Sequence, residues 1–494
     1  MDSYTKTSVT EYLETINLLD PLDPLDSLNS LNSLEQIKLK QMGEWAKQNN
    51  EIHLTIECYS KLLNYETEKE NICFLYNELG ICYMALNQTK LAIQYFENIV
   101  TMGANIAEVY NNLVICCGKD KQYKKAESYA MKSLQIEQND KIYNTIADLY
   151  FYMKEYEKSL YFYLKIDDQT SSIKYNMSFP YLAKKIFIRG FELYENRLAS
   201  NGICQQTQLI TRVTIPNIPY WDGLLPCLHL LVIYEQGIGD NILYYRFLLM
   251  CAQLYPHMKI TYFCKSNVSH LFKNTMNNIN IIDDSKCFDL SGYQYKAYIM
   301  SLPYLLQVRT ISYNVYNYIY IDTNLTKKWK LKLNNDKLKI GFTYKGLLNS
   351  FIDKTVPLSH FKSIANMEEV ELICLHKDEE IMEDLKDIDF SDNIQHYDID
   401  KYKAFEDTIA ILQNIDLLVT IDSAIVHLAG VLNVPTLLLL GYGSDWRWFD
   451  CDNCLWFKSI QILRHKENND LYNIMPHVET FIESKINNNN KVDN

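Results

Sequence analysis

The sequence predicts a two-part, α plus α/β protein: an array of helical repeats followed by two lobes, each built on a parallel sheet. Two observations predict it. Helical segments with small and aromatic residues at matched places recur with a period of about 34 residues. Beyond Leu228, short apolar runs such as "LHLLVIYE" and "IDLLVTID" alternate with helical text, the pattern of parallel strands covered on both faces.

Bulk properties fit this plan. At 494 residues the chain exceeds one core and is expected to hold roughly two to four domains. Its net charge of −13 argues against a nucleic-acid partner, because an acidic chain repels the phosphate backbone. No apolar run reaches the roughly 20 residues of a membrane span, and the acidic start is unlike a secretory signal. Thirteen cysteines without a framework suit a reducing, cytoplasmic setting. Cys451 and Cys454 form a lone C-x-x-C with no second pair, so zinc is not expected there. With 38 tyrosines, a single Tyr carries little weight.

The elements follow in order. Residues 1–35 include "DPLDPLDSLNSLNSL" (Asp20–Leu34), Leu alternating with turn formers, and are expected to form an irregular leader. Residues 36–170 carry the repeats. "LYNELGICYMALNQTKLAIQYFENIV" places Leu79, Gly80 and Tyr83 on one helix and Ala92 and Phe96 on the next. "VYNNLVICCGKDKQYKKAESYAMKSL" sets Tyr110, Leu113 and Ala126 in register with Tyr76, Leu79 and Ala92. A third copy aligns Ala147, Tyr150, Ser159 and Tyr163, and a fainter first has Gly43, Thr55 and Tyr59. Small residues stand where helices cross and aromatics fill the gap. The set resembles the tetratricopeptide repeat (TPR), whose terminal copies are atypical because they cap the stack.

Residues 171–227 read as a helical junction. Residues 228–325 form the first α/β lobe, with strands at "LHLLVIYE", "MKITYFC", "INIID" and "YKAYIM". Residues 326–482 form the second, with strands at "LKIGFTY", "VELICLH", "IDLLVTID" and "PTLLLLG". Residues 483–494, "NNNNKVDN" at their end, are expected to be disordered. Ligands of such lobes bind at the carboxyl ends of the strands, and the informative motifs lie there.

"YEQGIGDN" (Tyr234–Asn241) follows the first strand. A dinucleotide fingerprint needs a third glycine where Ile242 stands, and an acid after the next strand, where the chain has "YFCKS". What remains is a tight turn through Gly237 and Gly239 that puts Asp240 at a helix start. It is either a helix cap or a general base facing the cleft. "TIDSAIVHLAG" ends a strand at Asp422 and opens a helix with Ser423 and Ala424, whose free N–H groups suit a diphosphate. His427 lies one turn in, on the same side. "GYGSDWRWFDCDNCLW" brings Trp446 and Arg447 to the last strand, to stack a base or brace a loop, with Arg447 paired to Asp445 or Asp450. The D-x-D triplets, Asp398 and Asp400 among them, follow no buried strand and are discounted as metal sites.

In this order, "YWDGLLPCLHLLVIYEQGIGDNILYYRFL", "YIMSLPYLL", "LKIGFTYKG" and "FEDTIAILQNIDLLVTIDSAIVHLAGVLNVPTLLLLGYGSDWRW" resemble TPR proteins with a C-terminal glycosyltransferase domain of the family nine, heptosyltransferase-like GT-B group. "RGFELYENRLAS" (Arg189–Ser200) resembles that family's junction. The resemblance implies a GT-B fold and inverting, metal-independent transfer from a nucleotide-diphosphate sugar, with no cofactor. Asp240 then takes the base position, and Asp422, Ser423, Ala424 and His427 the donor diphosphate site. Lys354, in "DKTVPL", takes that of a basic residue near the phosphates, and the TPR arm would hold a protein or peptide. The chain departs from the family at "KDEE" after "VELICLH" and at Lys345 after "GFTY". Those departures keep open a second reading, a scaffold with a degenerate GT-B domain. An O-GlcNAc-transferase-like enzyme shares the two-part plan.

Overall fold

A computed structural model describes residues 5–17, 33–199, 218–273, 275–285, 292–311, 317–346, 354–465 and 471–492. The chain divides into two compact units, Met1–Asp168 and Gln169–Asn494. Among the described residues, no helix is long and apolar enough to cross a membrane.

The first unit is a stack of antiparallel helix pairs: α2 (Ser33–Gln48) with α3 (Ile52–Leu63), α4 (Lys69–Ala85) with α5 (Thr89–Thr101), α6 (Ala107–Lys119) with α7 (Tyr123–Ile136), and α8 (Asp140–Tyr152) with α9 (Tyr156–Tyr163). Each pair turns through one left-handed residue, Asn50, Asn87, Lys121 and Lys154 in succession. The next N–H then reaches back to a carbonyl of the preceding helix, as Gln88 does to Tyr83 and Gln122 to Cys117, which satisfies the helix end. The small residues act as the sequence predicts. A Cβ on Gly80 would lie 2.7 Å from the Phe96 ring, and one on Gly43 would lie 2.3 Å from Tyr59. Ala92, Ala126 and Ala147 are fully buried, and Ser159 Oγ donates to the Ala147 carbonyl at 2.8 Å.

The expected irregular leader is corrected in part. Residues 6–17 form a helix, α1 (Lys6–Asn17), because Val9 and Leu13 stand one turn apart and bury against Leu39, Met42 and Leu62. The Leu-rich stretch 18–32 lies outside the described residues.

The second unit opens with a further pair, α10 (Ser171–Ala183) and α11 (Phe187–Tyr194). It has the same left-handed turn residue, Lys185, and Gly190 packs on Leu182. What the sequence presents as a junction is thus built like a repeat. Two parallel sheets follow. The first orders its strands β3-β2-β1-β4, from β1 (His229–Ile233), β2 (Lys259–Cys264), β3 (Ile279–Asp283) and β4 (Tyr295–Tyr298). The second orders them β10-β9-β8-β5-β6-β7. Its members are β5 (Leu338–Phe342), β6 (Val370–Cys374), β7 (Ile394–Gln395), β8 (Leu417–Ile421), β9 (Thr436–Leu440) and β10 (Ile460–Arg464). The short β7 and the edge β10 were not among the strands read from the sequence.

In both sheets the strand order reverses beside the first strand of the lobe, between β1 and β4 and between β5 and β8. Such reversals leave a crevice at the carboxyl ends of the strands. Beneath the second, Thr343 and Thr420 share a buried hydroxyl–hydroxyl hydrogen bond of 2.6 Å. The expected disordered tail is also corrected. A helix runs Met475–Val492, since Met475, Val478 and Ile482 are buried in the second-lobe core and Ile486 packs against it. Those turns nucleate a helix that the Asn run then extends.

Candidate functional site

The site is assembled from the two strand-order reversals. After β1 the backbone passes Tyr234 and Glu235 into Gln236, which is left-handed at φ 61, and enters the helix Ile238–Leu254 with Gly237 as N-cap. Asn241 holds this bend: its amide donates to the carbonyls of Glu235 at 2.6 Å and Gly237 at 2.7 Å. Its own oxygen accepts from Tyr262 Oη at 2.8 Å. Asp240 therefore sits in the first turn of the helix and not at the cap itself. Its Oδ2 accepts the Gly237 N–H at 3.2 Å.

The carboxylate also points outward. Asp240 Oδ1 lies 2.8 Å from Arg447 Nη2, and 24% of the Asp240 side chain remains accessible. Arg447 Nη1 donates to both oxygens of Asp445 at 2.9 Å. Desolvation raises the Asp240 carboxyl above the ordinary range, opposed by Arg447 and reinforced by Asp445 and Asp422.

In the second lobe, β8 ends before Asp422, and Ser423 is the N-cap of the helix Ala424–Val431. Asp422 Oδ2 and Lys354 Nζ are 2.6 Å apart. Burial acts to raise the Asp422 carboxyl, but Lys354 foremost, with His427 and Trp448, brings the net direction down. The Ser423 hydroxyl is buried without a hydrogen-bond partner, as is His427 Nδ1. The His427 ring stacks on Trp448 at 5.3 Å. Burial holds this histidine neutral, its pKa lowered to about 3.

The two lobes touch here. A Cβ on Gly239 would lie 3.1 Å from His427 Cδ2 and 3.2 Å from Ala424 Cα, so a larger residue would press the two helix starts apart by a few tenths of an ångström. The structure thus brings together Gly237, Gly239, Asp240, Asp422, Ser423, Ala424, His427, Lys354 and Arg447. Trp446 stands differently: it packs edge-on to Phe191 at 6.3 Å and against Phe449 at the same distance, in the bracing role.

Two features were missed in the sequence. Glu235, within the quoted "YEQGIGDN", is fully buried and paired with a fully buried Arg197, Oε1 to Nη2 at 2.6 Å and Oε2 to Nε at 3.2 Å. Arg197 Nη2 also donates to Ser301 Oγ at 2.8 Å. The acid directly after a buried strand was the available signal. The departures also belong together. The His376 ring accepts the Tyr344 N–H at 3.2 Å and its Nδ1 lies 3.1 Å from Glu380, while Lys345 pairs with Asp384 at 2.7 Å. Asp400, discounted as a metal ligand, instead accepts the N–H groups of Asp407 and Thr408.

No family model matches the chain. Over 95 residues it is 35% identical to the uncharacterized protein ycf37 of Porphyra purpurea, covering 19% of this chain and 54% of that protein. The chain thus spans about half the length of the curated relative that it matches. Two kinds stand among the solved structures similar to it. One includes the E. coli ADP-heptose lps heptosyltransferase II, at 13% identity and TM-score 0.37 over 52% of this chain and 99% of that one. The family 9 glycosyl transferase of Veillonella parvula is similar at 15% identity and TM-score 0.36, over 48% and 86%. The other kind includes YrrB, a TPR protein with an unusual peptide-binding site, at 16% identity and TM-score 0.29 over 39% and 91%.

Proposed function

We propose that the α/β unit is a glycosyltransferase that moves a hexose- or heptose-type sugar from a nucleotide-diphosphate donor to an acceptor hydroxyl, with inversion and without a metal. The helical repeats hold the protein or peptide that bears or presents the acceptor, in the cytoplasm. The observation that carries this reading is the meeting of Asp240, from one strand-order reversal, with the Asp422–His427 corner of the other, through Gly239. Asp240 takes the proton of the acceptor hydroxyl, whose oxygen attacks the anomeric carbon as the bond to the diphosphate breaks. Its raised basicity suits that role. The leaving diphosphate is met by the first-turn N–H groups at Ser423 and Ala424, the Ser423 hydroxyl, neutral His427 and Lys354.

A second reading has a specific observation in its favour. Lys354 is paired with Asp422, Arg447 with Asp240 and Asp445, and Lys345 with Asp384, so a diphosphate must displace carboxylates to reach these cations. A degenerate domain serving as a scaffold has the same internal pairing. Thermal-shift titration of the full chain with nucleoside diphosphates and their sugars separates the two. Stabilisation by one nucleotide family supports the donor site, and no shift with any of them leaves the scaffold.

A further inference from the structure

We infer that Arg447 is a positioning residue for Asp240: anchored by Asp445, it orients the Asp240 carboxylate and balances its charge, so that the Asp445–Arg447–Asp240 chain acts as one unit across the lobes. This rests on the general-base reading of Asp240 given above.

The geometry is specific. Arg447 lies in the single turn Trp446–Trp448, and its backbone N–H also donates to Asp445 Oδ1, at 2.9 Å. Asp445 therefore fixes both ends of Arg447, the peptide and the guanidinium. One amino group, Nη2, is left to reach the other lobe at 2.8 Å from Asp240. Arg447 Nε is buried without a partner, and the guanidinium lies 5.2 Å from the Trp446 ring centroid, so its plane is set by packing. A lysine could supply the charge but not this two-sided fork.

The charges around Asp240 show why one cation matters. From the second lobe it faces Arg447 and Asp445 on one loop, and Asp422 and neutral His427 at the β8 corner, with Lys354 committed to Asp422. From its own lobe it faces the hydroxyls of Tyr234 and Tyr244. Three carboxylates thus share two cations, and Arg447 is the one in contact with Asp240. Removing it leaves Asp240 beside the like charges of Asp445 and Asp422, with the Gly237 N–H still in its favour and Lys354 held by Asp422. Removing Asp445 gives Asp240 the undivided guanidinium. The two changes push the base in opposite directions, which loss of folding cannot imitate.

The test uses the full-length protein and carbodiimide coupling to glycine ethyl ester, which consumes the protonated carboxyl, with mass spectrometry of the Asp240 peptide across pH. With Arg447→Gln, the labelling midpoint should move to higher pH and labelling near neutrality should rise several-fold. With Asp445→Asn, the midpoint should move to lower pH. Arg447→Lys should restore part of the Arg447→Gln change, and it replaces that variant if the glutamine protein does not fold. Midpoints unchanged in both the Arg447 and Asp445 variants, or moving in the same direction, would overturn the inference. Labelling needs no turnover. Opposed shifts in a protein that transfers no sugar would uphold the Arg447 role and remove the transferase reading. Unchanged midpoints in an active enzyme would do the reverse.

Discussion

Arg447 and Asp240 meet at 2.8 Å, joining a loop that follows the strand β9 to the first turn of a helix in the other lobe. The contact ties a loop of the second lobe, held at Asp445 and between the buried Trp446 and Trp448, to the carboxylate proposed above as the base.

Replacing Asp240 with Asn should lower transfer by about 10²–10⁴-fold, the usual contribution of a positioned proton acceptor. The fold should persist, because the Asn oxygen can still accept the Gly237 N–H. Initial rates with the donor found by thermal shift, alongside circular dichroism, check both halves.

Gly239→Ala should act on the lobe contact. The added methyl meets Ala424 Cα at 3.2 Å, and backbone cannot swing aside as a side chain can. A loss of about 1–2 kcal/mol is expected for such overpacking, read as a lower urea midpoint. An unchanged midpoint would mean that the two helix starts separate freely.

Arg197→Met should be among the most damaging single changes. It leaves Glu235 charged, fully buried and without its cation, a loss of about 3–5 kcal/mol. Adding Glu235→Gln should recover much of it, since the stranded charge disappears. A double-mutant cycle in chemical unfolding measures this coupling.

Acid should destabilise the α/β unit partly through His427. Its folded pKa is lowered to about 3, against about 6.5 unfolded. The unfolded chain therefore takes up a proton first as pH falls. The stability from keeping His427 neutral is fully present above about 6.5 and is lost progressively down to about 3, by at most about 1.4 kcal/mol per pH unit. His427→Gln should flatten the slope of stability against pH within that window. An unaltered slope would show that the ring is not held neutral by the fold.

Much of the fold was legible because its signals are local. Gly80 and Phe96 sit where the repeat spacing puts them, and eight strands announced themselves as apolar runs. The edge strand β7 has only two residues, too short for any periodicity. In the leader and the tail, composition and spacing point different ways. Val9 with Leu13, and Val478 with Ile482, carry the helical period that the surrounding Leu-Asn and Asn runs obscure.

The sequence by itself determined the repeat array, the two parallel sheets, and the placing of Asp240 and Asp422–His427 at carboxyl strand ends, since each depends on residues close together in the chain. Only the tertiary structure decided the charge partners. Arg447 finds Asp240, Lys354 finds Asp422, and Arg197 finds Glu235. Each pair bridges a long stretch of chain, and a long flexible cation reaches whichever carboxylate the packing of sheets and helices brings within its length, a distance that no local pattern encodes.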